Sequence, residues 1–157
     1  MITESGAKVI EYNCRFGDPE CQTIMPLMDK NFINILHKCA RGNLTGNEKI
    51  ISNEKVSGCV IATSSGYPLD YEVGYQIELE NIQDENLQIF HSGTSINESG
   101  DLVTNGGRVL SIVCQDKDFD SAFNNAYKFL NKIKFKGIFY RKDIGHQVRK
   151  NCIGELN

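Results

Sequence analysis

Several things are missing from this chain. No stretch of its 157 residues approaches the ~20 consecutive apolar residues that a membrane-spanning helix needs, so an integral helical membrane protein is excluded. Neither sign of charge dominates: 17 Lys and Arg stand against 20 Asp and Glu, for a formal net charge of −3. A broad nucleic-acid surface is therefore not expected. Met1-Ile2-Thr3-Glu4-Ser5-Gly6 has neither the basic start nor the apolar core of a signal peptide, and a cytoplasmic location is expected. Six cysteines, at 14, 21, 39, 59, 114 and 152, include no Cys-x-x-Cys pair. Structural zinc and a disulfide framework are both disfavoured, and free thiols in a reducing compartment are expected. Cys39, Cys59 and Cys114 sit in apolar company and read as small core residues. There is no Gly-x-x-x-x-Gly-Lys phosphate loop, no internal repeat and no low-complexity tract. With 40% hydrophobic and 24% charged residues the composition is that of an ordinary globular chain, sized for one domain and part of another.

Along the chain, Met1 to Thr3 and Lys8 to Asn13 read as short strands joined by the turn-like Glu4-Ser5-Gly6. Phe32, Ile33, Ile35, Leu36, Cys39 and Ala40 give the apolar stripe of a helix over roughly Lys30 to Ala40, with Asp29 as a capping candidate and Gly42 as a stop. A polar linker covers 42–49. Short strands follow: Gly58 to Thr63, Tyr75 to Leu79, Leu87 to His91, Asp101 to Thr104 and Arg108 to Cys114, the last two flanking the tight-turn sequence Asn105-Gly106-Gly107. Asp118 reads as the N-cap of one clear helix whose stripe is Phe119, Ala122, Phe123, Ala126, Leu130 and Ile133. That stripe is core rather than a cofactor box. A last strand, Gly137 to Lys142, precedes a polar tail. Residues 50–146 thus form a small α+β domain of mostly antiparallel strands with one long helix.

The chemistry concentrates in Glu11-Tyr12-Asn13-Cys14-Arg15-Phe16-Gly17-Asp18-Pro19-Glu20, directly after the apolar run Lys8-Val9-Ile10. On a strand, residues two apart share a face, so Glu11, Asn13 and Arg15 form one row. Two oxygen donors suit a hard cation such as Mg²⁺, which completes its shell with water and phosphate. A guanidinium beside it suits a phosphate or an acyl phosphate. A solvated strand face with a local ion pair is the plainer reading of the same row. Asp18-Pro19-Glu20 also reads as a turn and helix start, and Arg108 as a surface salt bridge. His91 reads as a core or structural histidine; no partner is legible for His37 or His146.

The segment Val9 to Glu20 resembles the phosphoribosylamine–glycine ligase (glycinamide ribonucleotide synthetase) family. So do Ser65-Gly66-Tyr67-Pro68, Phe90 to Thr94, Leu102 to Leu110 and Ile133 to Gly145, in that order. The resemblance implies an ATP-grasp enzyme of purine biosynthesis that phosphorylates glycine with ATP and couples the resulting glycyl phosphate to 5-phosphoribosylamine, giving glycinamide ribonucleotide, ADP and phosphate. Residue by residue, it implies that Glu11 and Asn13 are metal ligands for Mg²⁺ or Mn²⁺. Arg15 matches the catalytic cation beside the phosphoryl group, and Asp18 and Arg108 match substrate-binding positions.

The resemblance covers only the C-terminal part of the family. It implies residues 1–41 as the C-terminal piece of an ATP-grasp domain, 42–49 as a linker, 50–146 as the C-terminal domain (of rudiment-hybrid or barrel-sandwich type) and 147–157 as a tail. Glycine, 5-phosphoribosylamine, ATP and the family's preceding N-terminal part are the expected partners; nucleic acid and membrane are not. On this reading the isolated chain is catalytically silent, because nothing in it resembles the adenine pocket or the lysine-bearing clamp. Alternatives are a non-catalytic folded module, a split-enzyme subunit, or another ATP-grasp ligase of nucleotide metabolism. The apolar side chains Met1, Ile2, Val9, Ile10, Ile24 and Leu27, and the stripe from Phe32 to Leu36, are expected to be partly exposed.

Overall fold

The computed structural model describes residues 1–80 and 83–149. From residue 150 the polar tail expected over 147–157, with Cys152, lies outside the described residues.

Backbone pairing is carried by two long neighbouring strands, β3 (Val56–Ser64) and β7 (Arg108–Asp116). They run antiparallel, with Val60 opposite Ile112 and Gly58 opposite Cys114. β4 (Leu87–His91) pairs with the outer side of β7 and β8 (Ile138–Phe139) with the end of β3, giving a four-stranded antiparallel sheet in the order β4-β7-β3-β8. A separate two-stranded ribbon joins β5 (Thr94–Ile96) to β6 (Leu102–Thr104).

One face of the sheet is fully covered and the other partly, and β3 accordingly reads as a continuous apolar run rather than an alternating one. Helix α3 (Phe119–Leu130) lies over the first face. Its Asp118 cap forms as expected, the carboxylate accepting from the Ser121 N–H at 2.7 Å. The helix buries Ala122, Phe123, Ala126, Phe129 and Leu130 against Val60, Ala62, Leu110, Ile112 and Cys114. The second face is partly roofed by α1 (Glu20–Ile24) and the 3₁₀ turn Met25–Leu27. A bridge from Met28 to Ser52 and the bond from Asn53 N to Leu27 O at 2.8 Å hold this roof. Helix α2 (Phe32–Ala40) buries Phe32 and Ile35. Gly42, at φ +68°, ends it with a conformation that costs glycine nothing.

The sequence reading departs from this architecture at several points, among them the last strand, expected over Gly137 to Lys142 and confined to Ile138–Phe139. The N-terminal hairpin is confined to β1 (Ile2–Thr3) and β2 (Gly6–Ala7). Residues 8–13 are not a strand: beyond the reciprocal Met1–Lys8 contact, no backbone group among the described residues pairs with their backbone. Tyr75 to Leu79 makes two isolated bridges, Gln76 to Val103 and Glu78 to Lys134, in place of a strand.

Asn105-Gly106-Gly107 does not close a hairpin between its flanking strands but carries the chain from the β5–β6 ribbon to the main sheet. The glycines serve a backbone crossing. A Cβ on Gly93 would lie 2.6 Å from the Gly106 Cα, and Asn105 N donates to Gly93 O at 2.7 Å. Asp29 lies outside the helix that Asn31 opens, its carboxylate accepting from Asn31 N at 3.1 Å. Cys39, in the last turn of α2, is exposed rather than core. Cys114 is buried and Cys59 half-buried, and burial pushes their thiols up to about 12 and about 11.

Candidate functional site

Glu11 and Asn13 point to the same side of the chain although no strand carries them. The Asn13 Nδ2 donates to the Glu11 Oε1 at 3.2 Å. Both side chains are exposed, so neither is desolvated before a ligand arrives. That contact uses one carboxylate oxygen and the carboxamide nitrogen. The second carboxylate oxygen and the carboxamide oxygen are left as acceptors, and oxygen donors of these types are the ones that could hold Mg²⁺ or Mn²⁺. Among the described residues no cluster of three His, Cys, Asp or Glu side chains is placed to hold a metal. Arg15 is also exposed; its Nη1 donates to the Phe16 carbonyl at 3.3 Å.

Asp18 and Arg108, both expected at substrate, face each other. The Arg108 Nη2 donates to Asp18 Oδ2 at 2.6 Å and its Nη1 to the Asp18 carbonyl at 3.3 Å. The ion-pair reading of Arg108 is therefore realised. The other Asp18 oxygen accepts from the Gln22 Nε2 on α1 at 3.2 Å. Sequence reasoning gave Gln22 no role, since a glutamine one helical turn from an aspartate is common on any helix. His91 stands near the end of β4 with its Nδ1 3.1 Å from Thr94 Oγ1; it is exposed, not core.

Beside this pair runs an apolar groove of about 410 Å³. Cys59, Ile61 and Thr63 of β3 form its floor; Pro19, Tyr67 and Tyr140 form its walls, and Arg108 and Arg141 its rim. Arg141 is matched to Asp143, with Nε to Oδ1 at 2.9 Å and Nη2 to Oδ2 at 2.5 Å, and that bond holds the Asp143 carboxyl below its usual range. Arg141 sits inside the family-like segment Ile133 to Gly145, which was the only signal for it. A second, more polar cleft of about 510 Å³ lies across Ser64. There the Tyr75 hydroxyl donates to Glu72, and Lys136 Nζ lies 3.1 Å from that hydroxyl and 4.5 Å from the ring centroid.

Comparison with known proteins follows the same lines. A phosphoribosylamine–glycine ligase of Caldanaerobacter subterraneus subsp. tengcongensis is 43% identical over 145 residues, covering 92% of this chain and 34% of the relative. One from Halalkalibacterium halodurans is 45% identical over 151 residues, 94% of this chain and 34% of the relative. The crystal structure of a phosphoribosylamine–glycine ligase from Thermotoga maritima superposes with a TM-score of 0.78 at 33% identity, covering 92% of this chain and 35% of that one. The chain thus spans about a third of the length of these relatives. Residues 57–147 match the family described as "Phosphoribosylglycinamide synthetase, C domain", which is more than half of the 157 residues, and the chain belongs to that family.

Proposed function

We propose that this chain supplies part of the site at which a phosphoribosylamine–glycine ligase activates glycine for purine biosynthesis in the cytoplasm. On this reading residues 1–41 are the C-terminal piece of an ATP-grasp domain, 42–49 a linker and 50–146 the ligase C-terminal domain. The observation that carries the proposal is the Glu11–Asn13 contact at 3.2 Å, which sets two oxygen-bearing side chains together at the head of a family-like motif.

The chemistry requires such groups. A carboxylate is a poor electrophile at neutral pH. Transfer of the ATP γ-phosphoryl to the glycine carboxylate releases ADP and gives an acyl phosphate, whose carbonyl carbon the amine of 5-phosphoribosylamine attacks with loss of phosphate. Phosphoryl transfer crowds negative charge, so cations aimed at it lower the barrier. A divalent ion, when bound, supplies that compensation at the phosphate oxygens. Glu11 and Asn13 would hold the ion. Arg15, two residues further on, would meet the transferring phosphoryl group with its guanidinium. Arg108 lines the groove and holds Asp18 beside it, and the two would contact substrate there.

The remaining two thirds of the relatives' length would contribute the nucleotide pocket. The test is ADP release from ATP, Mg²⁺, glycine and freshly prepared 5-phosphoribosylamine. It is run with the chain alone and with the separately expressed preceding part of a relative such as the Caldanaerobacter ligase. Activity on mixing, lost in Glu11→Gln, is expected. Full activity of the chain alone, or of the mixture with E11Q, would overturn the proposal. A non-catalytic module is the second reading, and the exposure of Met1, Ile2, Val9 and Ile10 favours it, since apolar side chains left in water invite a partner. Docking without ADP release would decide for it.

A further inference from the structure

We infer that Asp18 and Arg108 are positioning residues. Their ion pair pins the Glu11–Arg15 segment to the sheet and so orders the metal ligands. The inference deepens the metal-site reading above and rests on it.

The segment over residues 9–16 has no regular secondary structure, and its own polar contacts are local: Asn13 to Glu11, Cys14 to the Tyr12 carbonyl and Arg15 to the Phe16 carbonyl. Its upstream hairpin is only two residues deep on each side. Order must therefore enter from the downstream end, where Asp18 gathers three hydrogen bonds. Arg108 supplies two of them and Gln22 of α1 the third. The stem of Arg108 is fixed. Arg108 opens β7, its carbonyl accepts from Gly93 N at 2.7 Å, and the preceding Gly107 carbonyl accepts from Ser64 N at 2.8 Å. The Phe16 ring, 6.4 Å from that of Phe32, is the apolar counterpart of the same tether.

With side chains 38% and 56% exposed, the pair gains little from Coulomb attraction alone. What it supplies is geometry. A guanidinium that grips both a carboxylate and the same residue's carbonyl fixes direction as well as distance. Positions 90 apart in sequence are joined this way, motif to strand.

The experiment is ¹⁵N NMR on the full chain, comparing wild type with R108M, D18N, R108K and the double variant R108M/D18N. Heteronuclear NOEs at the amides of residues 11–17 read the ordering; Mn²⁺-induced line broadening at Glu11 and Asn13 reads the metal site. In R108M and D18N the NOEs are expected to fall while those of α3 hold. The double variant should be no worse than either single one, and R108K should recover part of the loss. Mn²⁺ requirement at Glu11 and Asn13 should rise about two- to fivefold, the scale of one exposed ion pair. Unchanged NOEs in D18N, which keeps the side-chain shape and decides the matter if R108M disturbs the sheet, would overturn the inference. Falling NOEs with no Mn²⁺ broadening even in wild type would support the tether and refute the metal reading.

Discussion

Gly58 of β3 faces the ring of Phe123 on α3 so closely that a Cβ added there would lie 3.0 Å from Cε1 and 3.1 Å from two further ring carbons. Helix and sheet approach at this point only because one partner has no side chain. Two effects oppose each other in Gly58→Ala. Removing a glycine from a strand interior stabilises by roughly 0.5–1 kcal/mol through the unfolded chain. Overpacking a buried ring costs about 1–3 kcal/mol. Phe123 is 6% exposed and has Gly145 close against its other edge, so the ring has little room to yield and the second effect wins. Urea unfolding of G58A should show a lowered midpoint at unchanged slope. A midpoint equal to or above wild type would mean that the ring moves freely.

At the start of the same helix, Asp118 accepts from Ser121 N at 2.7 Å and has extended backbone angles suited to a cap. Asp118→Ala should cost about 0.5–2 kcal/mol, and Asp118→Ser much less. The two variants together separate the cap from general loss of charge near Lys117 and Asp116. Equal destabilisation by both would reject the capping account.

Features set by neighbours in sequence were legible before any coordinates, and features set by neighbours in space were not. The α3 stripe and cap, β3 and β7 each announce themselves within a dozen residues. The Glu11-x-Asn13-x-Arg15 row was legible as a motif, but its strand was not real, because pairing depends on a neighbouring strand that the local sequence does not encode. Asn105-Gly106-Gly107 carries the same chemistry as a hairpin turn yet serves a crossing with Gly93, and nothing local separates the two uses. The Asp18–Arg108 pair joins two residues that were each picked out separately. Their meeting follows from the roof that α1 builds over β3.

That roof is tied down by a polar contact. The Asn53 Nδ2 donates to the buried Gln115 Oε1 at 3.0 Å, while the Asn53 backbone N–H holds the Leu27 carbonyl. Asn53→Ala strands the Gln115 oxygen and should cost about 1–3 kcal/mol. Replacing both members by apolar groups of like shape, Asn53→Leu with Gln115→Met, removes the stranded acceptor, so the double variant should be more stable than N53A alone. A double variant worse than either single one would show that the pair contributes beyond satisfying itself.

Acid tests the opposite end of the chain's electrostatics. The Glu48 carboxylate folds back on its own loop, accepting from the Thr45 N–H at 3.2 Å, the Gly46 N–H at 3.0 Å and the Thr45 hydroxyl at 3.1 Å, with Lys38 Nζ at 3.2 Å. Backbone donors come first among the causes that lower its titration from 4.5 to about 2. Since the folded value lies below the unfolded one, the stabilisation is present in full above pH 4.5 and is lost as pH falls toward 2. A ¹³C titration of the Glu48 carboxyl should therefore show no protonation at pH 4, where an ordinary glutamate is largely protonated. Glu48→Gln, which keeps the shape but not the charge, should lower Tm at pH 7 and converge on wild type as the pH approaches 2. A carboxyl that titrates near 4.5, or a Tm gap that widens on acidification, would show that the loop does not hold the ionised form.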